Sequence, residues 1–493
     1  MSEKILPVDL RDVRVHLVGI KGTGLAAFAE LLHARGARVT GSDTAEKFYT
    51  DAILDKRGIR YTEGFSAENV PSAASVVVFS SAYDPATHPE ITEAVRRGIP
   101  TLSYTEALGE FSAGRFSCGV TGVHGKTTTT AMLGSIVNSA GLDGAVLVGS
   151  GVPVFGGGSV LIRGDSFFAA ETCEYRRHFL SFHPSIIVIT NVEADHLDYY
   201  RDYDDVRDAF VEYASRLPAG GRLIACEDDA GVRDVLARVA SSRPDIRIIR
   251  YGFDASGPYR IANESLADGA WSFTLGDDRD PYTLRIPGRH NVLNAAAAVA
   301  AVTEIVAATE VVASGSSPPG FARDVRAGLE SYTGTRRRSE VIGCVDGITI
   351  LDDYGHHPTE IAATLGGIKE FYTPKRLIVD FMAHTFTRTA RLLAQFAEAF
   401  SAADVVIVHK IYASARETFT GSISGVDLAD VVRPNVSRLE YFEEPLDAAE
   451  FVCGLLEPGD VFVTMGAGDN WRLGRAVLER LTGEQAGKSG GTA

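Results

Sequence analysis

The sequence predicts an α/β protein of three domains, each built on a largely parallel sheet wrapped by helices. Three observations predict it. Short apolar runs of strand character alternate with helical patterns along almost the whole chain, the order that builds parallel sheets. The alternation restarts near Phe116 and again near Gly334. The 493 residues, at roughly 100–200 per domain, allow about three domains. The expected boundaries are 1–115, 116–333 and 334–493.

In the first block "VRVHLVGI" reads as a strand, "KGTG" as a turn and "LAAFAELLHARG" as a helix. "ARVTGSD" is a second strand ending in Asp43, "ASVVVFSSA" a later strand and "EITEAVRRG" a helix. In the second block "GGSVLIRGDSFFAAET" reads as strands and "PSIIVITNVEADH" as a buried strand with a loop after it. "DVRDAFVEYASRLPAGG" is a helix with a glycine stop. "PYTLRIPGRHNVLNAAAAVAAVTEIV" ends a strand and opens a long alanine-rich helix, and Ser314–Gly320 is a loop. In the third block "ITILDDYGHHPTEIAATL", "KRLIVDFMAHTFTRTARLLAQFAEAF", "ADVVIVHK" and "DVFVTMGAGDNWRLGRAVLERL" each begin with an apolar strand. No internal repeat is found, and the tail "GEQAGKSGGTA" is expected to be disordered.

The net charge of −16 argues against nucleic acid as a partner, whose binding footprint would be basic. It leaves small anionic ligands open. Five scattered cysteines without metal spacing read as reduced thiols, with Cys173 expected to be a buried, inert one. The N-terminus has no signal-type apolar run, and no 18 consecutive apolar residues occur, so no membrane span and a cytoplasmic location are expected.

The chemistry starts with "GVTGVHGKTTTT", Gly119–Thr130, between a strand and a helix. Small residues there let backbone N–H groups face phosphate oxygens, and the helix start adds positive potential. Lys126 would reach the β- and γ-phosphates and Thr127 would hold magnesium. The bland alternative is a glycine-rich turn before a core helix. The spacing misses G-x-x-x-x-G-K-[ST] by one residue and reads instead as G-x-T-G-x-x-G-K-T-T: Gly119, Thr121, Gly122, Gly125, Lys126, Thr127, Thr128, with Val123 and His124 inside the loop.

That variant resembles the ATP loop of the Mur ligase family, where Val123 is usually Thr. Four more segments carry the resemblance, in the family's order, over about residues 13–481. "NVEADHLDYY" resembles a segment whose histidine, here His196 beside Glu193, Asp195 and Asp198, is a magnesium ligand. "AAETCEYRRHFLSFHP" resembles the segment that supplies a second ligand, Glu171. It departs from the commoner E-A-D-E-S-D, although Glu174 still matches an acidic residue. "GRHNVLNAAAAVAA" is close to G-x-H-N-x-x-N-x-x-A-A, which implies that His290, Asn291 and Asn294 read the adenine, while Asn291 could equally cap the helix. "GTRRRSE", "DDYGHHPTE" and "HTFTRT" resemble the alanine-adding branch of the family and its murein-peptide relative. They imply Arg337 and Asp353 at the nucleotide, Tyr354 and His356 in the amino-acid pocket, and Arg388 on the amino-acid carboxylate. His356 could take a proton from the incoming amine. Thr385 replaces a second arginine that the family often has. The paired histidines His356 and His357 could suggest zinc, but no third ligand spacing supports it.

The first block's "GIKGTG" alone is a weak signal that a nicotinamide-nucleotide enzyme would share, with Asp43 on a ribose. The resemblance makes it a Rossmann-like site for a uridine nucleotide: Gly22, Thr23 and Gly24 at the pyrophosphate, with Asp43, Ser80 and Ser81 nearby. Lys21 is expected to add positive charge there. No lysine lies between Lys126 and Lys369, so the carbamylated lysine that several family members use is absent. The resemblance thus implies a Rossmann-like first domain, a central P-loop ATPase-type domain and a Rossmann-like third domain. It also implies a ligase using ATP and Mg2+ to join L-alanine to UDP-N-acetylmuramate through an acyl phosphate. A murein-peptide ligase adding a tripeptide is the alternative. A monomer–dimer equilibrium, a nicotinamide oxidoreductase and a catalytically degenerate regulator are also left open.

Overall fold

The computed structural model describes residues 5–196, 199–309, 319–413 and 423–489. The chain is α/β throughout, with three main sheets. The first has five parallel strands in the order Arg60–Glu63, Arg38–Asp43, Arg14–Val18, Val76–Phe79, Thr101–Ser103. The second has seven, ordered Arg247–Tyr251, Arg222–Cys226, Ile186–Ile189, Ser117–Thr121, Phe168–Glu171, Ala145–Leu147, Val160–Ile162, with only the last pair antiparallel. A separate small sheet has three strands, Ile261–Ala267, Ala270–Leu275 and Tyr282–Leu284. The third main sheet runs Glu340–Val345, Ile348–Asp353, Val461–Gly466, Leu377–Met382, Val405–Val408, Arg438–Tyr441, with its first pair antiparallel.

The chain forms two compact units. One comprises Met1–Glu264, Ser272–Leu284 and Leu293–Thr333, and the other Ser265–Trp271, Arg285–Val292 and Gly334–Ala493. The first unit therefore holds two of the main sheets. Within it, the Glu30 carboxylate is buried between Arg57 Nε at 3.0 Å and the backbone N–H of Ser159 at 3.2 Å. Arg35 pairs with Asp165 and donates to Gly164 O at 2.5 Å. The helix Tyr104–Ser112 comes so close to Ser181 that a Cβ on Gly109 would lie 2.2 Å from its carbonyl oxygen.

The second unit shows why its strands read as unbroken apolar runs. Both faces of a parallel sheet are covered by helices. Leu351, Val379, Val406, Val408 and Val463 pack on one face, and their neighbours Ile350, Ile378, Val405, Ile407 and Phe462 pack on the other.

Two expectations need correcting. The helix Trp471–Ser489 runs through most of the tail expected to be disordered. Glu, Gln, Ala and Lys there are good helix formers, which outweighs two glycines. Cys173, expected to be buried, is exposed. The expected loop Ser314–Gly320 lies largely outside the described residues. The helix Arg289–Thr309 is long and apolar enough to cross a membrane, but 72% of its most apolar window is buried within the protein.

Candidate active site

The strand Ser117–Thr121 delivers the glycine-rich loop to the helix Lys126–Ser139. Two glycines there are obligatory. Gly122 has φ 139°, and an added Cβ would sit 2.0 Å from Thr190 Oγ1. Gly125 has φ 80°, and its Cβ would meet Asn294 Oδ1 at 2.5 Å. Asn191 and Thr190 hold the loop from outside. The His124 N–H donates to Asn191 Oδ1 at 2.8 Å, Asn191 Nδ2 donates to His124 O at 3.0 Å, and Thr190 Oγ1 reaches the same oxygen at 2.5 Å. The Val123 N–H donates to Asn191 O at 3.3 Å. His124 also pairs with Glu193. Thr128 is buried in the helix's first turn.

Lys126 donates to the carbonyls of Gly122 and of Val123, the latter at 3.0 Å, and lies 2.9 Å from Glu174 Oε2. Glu174 Oε1 lies 3.3 Å from His196 Nε2. Burial opposes the charged ammonium of Lys126, but the Glu174 carboxylate outweighs it and raises the pKa. Burial likewise opposes ionised Glu174, while Lys126 and His196 bring its pKa below the ordinary value. Beside this trio, Thr127 Oγ1 donates to Glu171 Oε2 at 2.7 Å. A Cβ on Gly149 would come within 1.6 Å of Glu171 Oε1, so only glycine leaves that carboxylate its place. The structure thus gathers Lys126, Glu174 and His196 into one cluster and Thr127 with Glu171 into a pair. Glu174 is the residue that the sequence undervalued. It matches an acidic family position, and its burial against Lys126 and His196 is a tertiary fact. Of the acids expected around His196, Asp195 accepts the His196 N–H at 2.6 Å, and Asp198 lies outside the described residues. His196 has φ 52°, a left-handed turn that aims its ring at Tyr175, 4.6 Å between centroids.

Asn294 meets the helix that follows the loop, accepting from Thr129 Oγ1 at 3.2 Å. His290 and Asn291 lie in the first turn of Arg289–Thr309. Asn291 Nδ2 donates back to Pro287 O at 2.7 Å, and the residue sits inside the helix rather than at its cap.

In the first sheet Gly22 precedes the helix Thr23–Ala34, and Gly24 abuts Tyr104, whose Cζ would lie 2.9 Å from an added Cβ. Asp43 Oδ2 accepts the Lys21 N–H at 2.6 Å and its Oδ1 the Thr44 N–H at 2.7 Å. Burial raises the Asp43 pKa against those bonds. The Ser80 N–H donates to Val18 O at 3.0 Å, with Ser81 next to it in the turn after Val76–Phe79. The expected positive charge from Lys21 is not offered to a ligand. Its ammonium is buried and turned to Thr44 O at 2.9 Å, Glu46 O at 3.1 Å, Asp51 at 3.1 Å and Glu63 at 3.4 Å. A buried charge has to be paired and hydrogen-bonded, and these four oxygens meet that need.

In the second unit the Arg337 guanidinium donates to Asp352 Oδ2 at 3.0 Å, Gly466 O at 2.6 Å and Gly468 O at 3.1 Å. Burial pushes the Asp352 carboxyl up to about 6 despite Arg337 beside it. Asp353 accepts the N–H groups of Ser339 and Gly355, both at 2.7 Å. The Tyr354 ring lies 5.4 Å from His356, whose ring lies 6.1 Å from His384. His357 caps the helix Pro358–Tyr372 through the Thr359 N–H at 3.3 Å. Arg388 lies in the helix Phe386–Arg391, just beyond Thr385.

Three family models match: "Mur ligase family, catalytic domain" over residues 14–116, "Mur ligase middle domain" over 120–302 and "Mur ligase, glutamate ligase domain" over 337–468. A UDP-N-acetylmuramate–L-alanine ligase of Treponema pallidum is 48% identical over 97% of this chain and 98% of its own length. One of Desulfitobacterium hafniense is 39% identical over 94% and 99%. Among solved structures, the UDP-N-acetylmuramate–alanine ligase of Thermotoga maritima has the same fold. Its TM-score is 0.77 at 24% identity, over 96% of this chain and 99% of that one. A murein peptide ligase of Psychrobacter arcticus follows at TM-score 0.66 and 23% identity, over 95% and 98%. The chain belongs to the Mur ligase family of ATP-dependent ligases and is similar to its UDP-N-acetylmuramate–L-alanine ligases over nearly all of their length.

Proposed function

We propose that this protein joins L-alanine to the lactyl carboxylate of UDP-N-acetylmuramate at the expense of ATP, in peptidoglycan precursor synthesis. The observation that carries the reading is 48% identity to an enzyme of that activity over 97% of the chain. The Lys126–Glu174–His196 cluster beside Thr127 and Glu171 supports it. Residues 1–115 then take the UDP-sugar, 116–333 ATP and 334–493 the amino acid.

In this reading the backbone of Gly122–Gly125 and the Lys126 ammonium receive the phosphates. The γ-phosphoryl group passes to the lactyl carboxylate, giving an acyl phosphate that the amine of alanine attacks, with phosphate leaving. Lys126 offsets the charge that builds on the transferring group. Glu174 keeps that ammonium protonated and placed. The hydroxyl of Thr127 and the carboxylate of Glu171 are oxygen donors of the kind that Mg2+ takes, and the imidazole of His196 would be a less common addition. Magnesium bound there would offset phosphoryl charge as a Lewis acid. His290, Asn291 and Asn294 are assigned to the adenine. Arg337 and Asp353 are assigned near the nucleotide, although both are already bonded within their own unit and act through the loops they fix. Gly22, Thr23, Gly24, Asp43, Ser80 and Ser81 are assigned to the UDP-sugar. Tyr354, His356 and Arg388 are assigned to alanine, with His356 accepting the amine proton. The location is cytoplasmic.

The test is phosphate release with ATP, magnesium and UDP-N-acetylmuramate, adding in turn L-alanine, glycine, L-serine and the L-Ala-γ-D-Glu-diaminopimelate tripeptide. Release that depends on L-alanine is the expected result. Release with the tripeptide alone would overturn the reading in favour of a murein-peptide ligase.

A further inference from the structure

The second unit holds a buried ionic cluster that no step above uses. Asp380, His409 and Asn470 are each fully buried, at 0% exposure. Asp380 Oδ1 lies 2.5 Å from His409 Nε2, and Asp380 Oδ2 accepts from Asn470 Nδ2 at 2.8 Å. His409 Nδ1 lies 2.9 Å from Phe442 O, and Asn470 Nδ2 also donates to Met465 O at 3.0 Å. These five residues belong to four neighbouring strands or to the loops that leave them: Leu377–Met382, Val405–Val408, Arg438–Tyr441 and Val461–Gly466. All lie toward the carboxyl ends of parallel strands, where open α/β sheets place their ligands. Asp380 shares its face with Ile378, and its ladder neighbour Thr464 is a second buried polar group, which donates to Asp352 at 2.8 Å. A buried ion pair is a poor source of stability, because desolvation offsets the attraction and apolar residues of equal volume often do as well. Its use here has to be geometric.

The geometry it fixes leads to Arg388. Three residues after Asp380 the chain enters the turn Ala383–Thr385, and three residues after His409 it reaches Tyr412. The Tyr412 N–H donates to Ala383 O at 2.8 Å, and the Thr385 N–H donates to Tyr412 O at 2.9 Å. The His384 and Tyr412 rings stack at 6.0 Å. Thr385 is held at φ 67°, ψ 136°, a region that belongs to glycine. Its carbonyl accepts from Thr389 Oγ1 at 2.7 Å, inside the short helix that carries Arg388. On the other side, Gly466 and Gly468 press on the end of the same strand. A Cβ on Gly466 would lie 2.2 Å from Met382 O, and one on Gly468 2.5 Å from Met382 Sδ.

We propose that Asp380, paired with His409 and Asn470, is a positioning residue for the acceptor amino acid. It locks the strained His384–Thr385 turn onto Tyr412 and so sets the pose of the Arg388 helix. The proposal rests on the reading that Arg388 receives the alanine carboxylate. L-alanine-dependent phosphate release by the unaltered chain tests that reading by itself, so the two can fail separately.

The experiment compares the full-length chain with Asp380→Asn, His409→Asn and Asn470→Ala. KM is measured for L-alanine, ATP and UDP-N-acetylmuramate, with thermal melting alongside. A misplaced binding group costs affinity for the molecule it holds. The expected result is a KM for L-alanine about tenfold higher or more in the first two variants, and a smaller rise in Asn470→Ala. KM values for both nucleotides should stay within about twofold. An unchanged L-alanine KM would overturn the proposal, as would equal rises for all three substrates, the pattern that general loosening gives. If the two charge variants do not fold, Asn470→Ala carries the test, because it leaves the ion pair in place and removes only one arm of the brace. An unchanged L-alanine KM in that variant would then be decisive against it.

Discussion

Glu174 is buried against the Lys126 ammonium and the His196 ring, so removing Lys126 does two things at once. Lys126→Ala takes away the group proposed to offset phosphoryl charge and leaves the Glu174 carboxylate with His196 alone. The expected loss in kcat is about 100–1000-fold, together with a lower urea midpoint worth about 3–5 kcal/mol from the stranded charge. Adding Glu174→Gln to Lys126→Ala should restore the midpoint and not the rate, since the amide removes the stranded charge but supplies no cation. Stability that stays low in the double variant would show that Lys126 matters to the fold for another reason. Thr385 offers the opposite case. Its backbone conformation suits glycine, and Thr385→Gly relieves strain at a modest entropic cost in the unfolded chain. The variant should be more stable by about 1 kcal/mol, measured by urea unfolding. A less stable variant would mean that the threonine side chain contributes more than its backbone loses.

At the scale of elements, the loop from Thr121 to Lys126 depends on close approach as much as on composition. Gly122→Ala places a methyl group against Thr190 and demands φ 139° of a residue that resists it. ATP binding, measured by calorimetry, should weaken by about tenfold or more, while circular dichroism stays that of the folded chain. Unchanged binding would show that the loop relaxes away from Thr190 at no cost. The strands of the second unit carry a pH dependence of their own. Burial disfavours charged His409, but the Asp380 carboxylate outweighs it and holds its pKa above the ordinary 6.5. A raised pKa in the folded state means that the pair's stabilisation is fully present below that ordinary value. It is lost as the pH climbs through the raised one. Both tryptophans, Trp271 and Trp471, belong to the second unit. Their fluorescence should therefore report a urea midpoint that falls as the pH rises above the ordinary histidine value of 6.5, and His409→Gln should flatten that fall.

At the scale of the whole molecule, the first two sheets share one compact unit, and Glu30 is one of the groups that tie them. Glu30→Ala leaves the Ser159 N–H without that partner, while half-exposed Arg57 turns to water, and should cost about 1–3 kcal/mol by urea unfolding. An unchanged midpoint would place the docking energy in other contacts, such as the close approach of Gly109 to the Ser181 backbone. The sequence by itself determined the α/β class, the family and the order of its motifs. Strand runs, glycine positions and the GKTTTT segment are local patterns, and local patterns survive without a third dimension. It also named Thr127, Glu171 and His196, because each follows a strand at a readable offset. Partner choice was not legible. Lys21 sits in a glycine-rich turn like a phosphate binder, yet Asp51 and Glu63, 30 and 42 residues further on, capture its ammonium. Arg337 reads as a ligand group, yet two carbonyls about 130 residues away hold it. Glu174 reads as one acid among several until burial sets it between Lys126 and His196. The tertiary structure alone decided these, because a charged group settles with whichever partner lies within about 3 Å, and that neighbour is chosen by the packing of distant segments rather than by position along the chain.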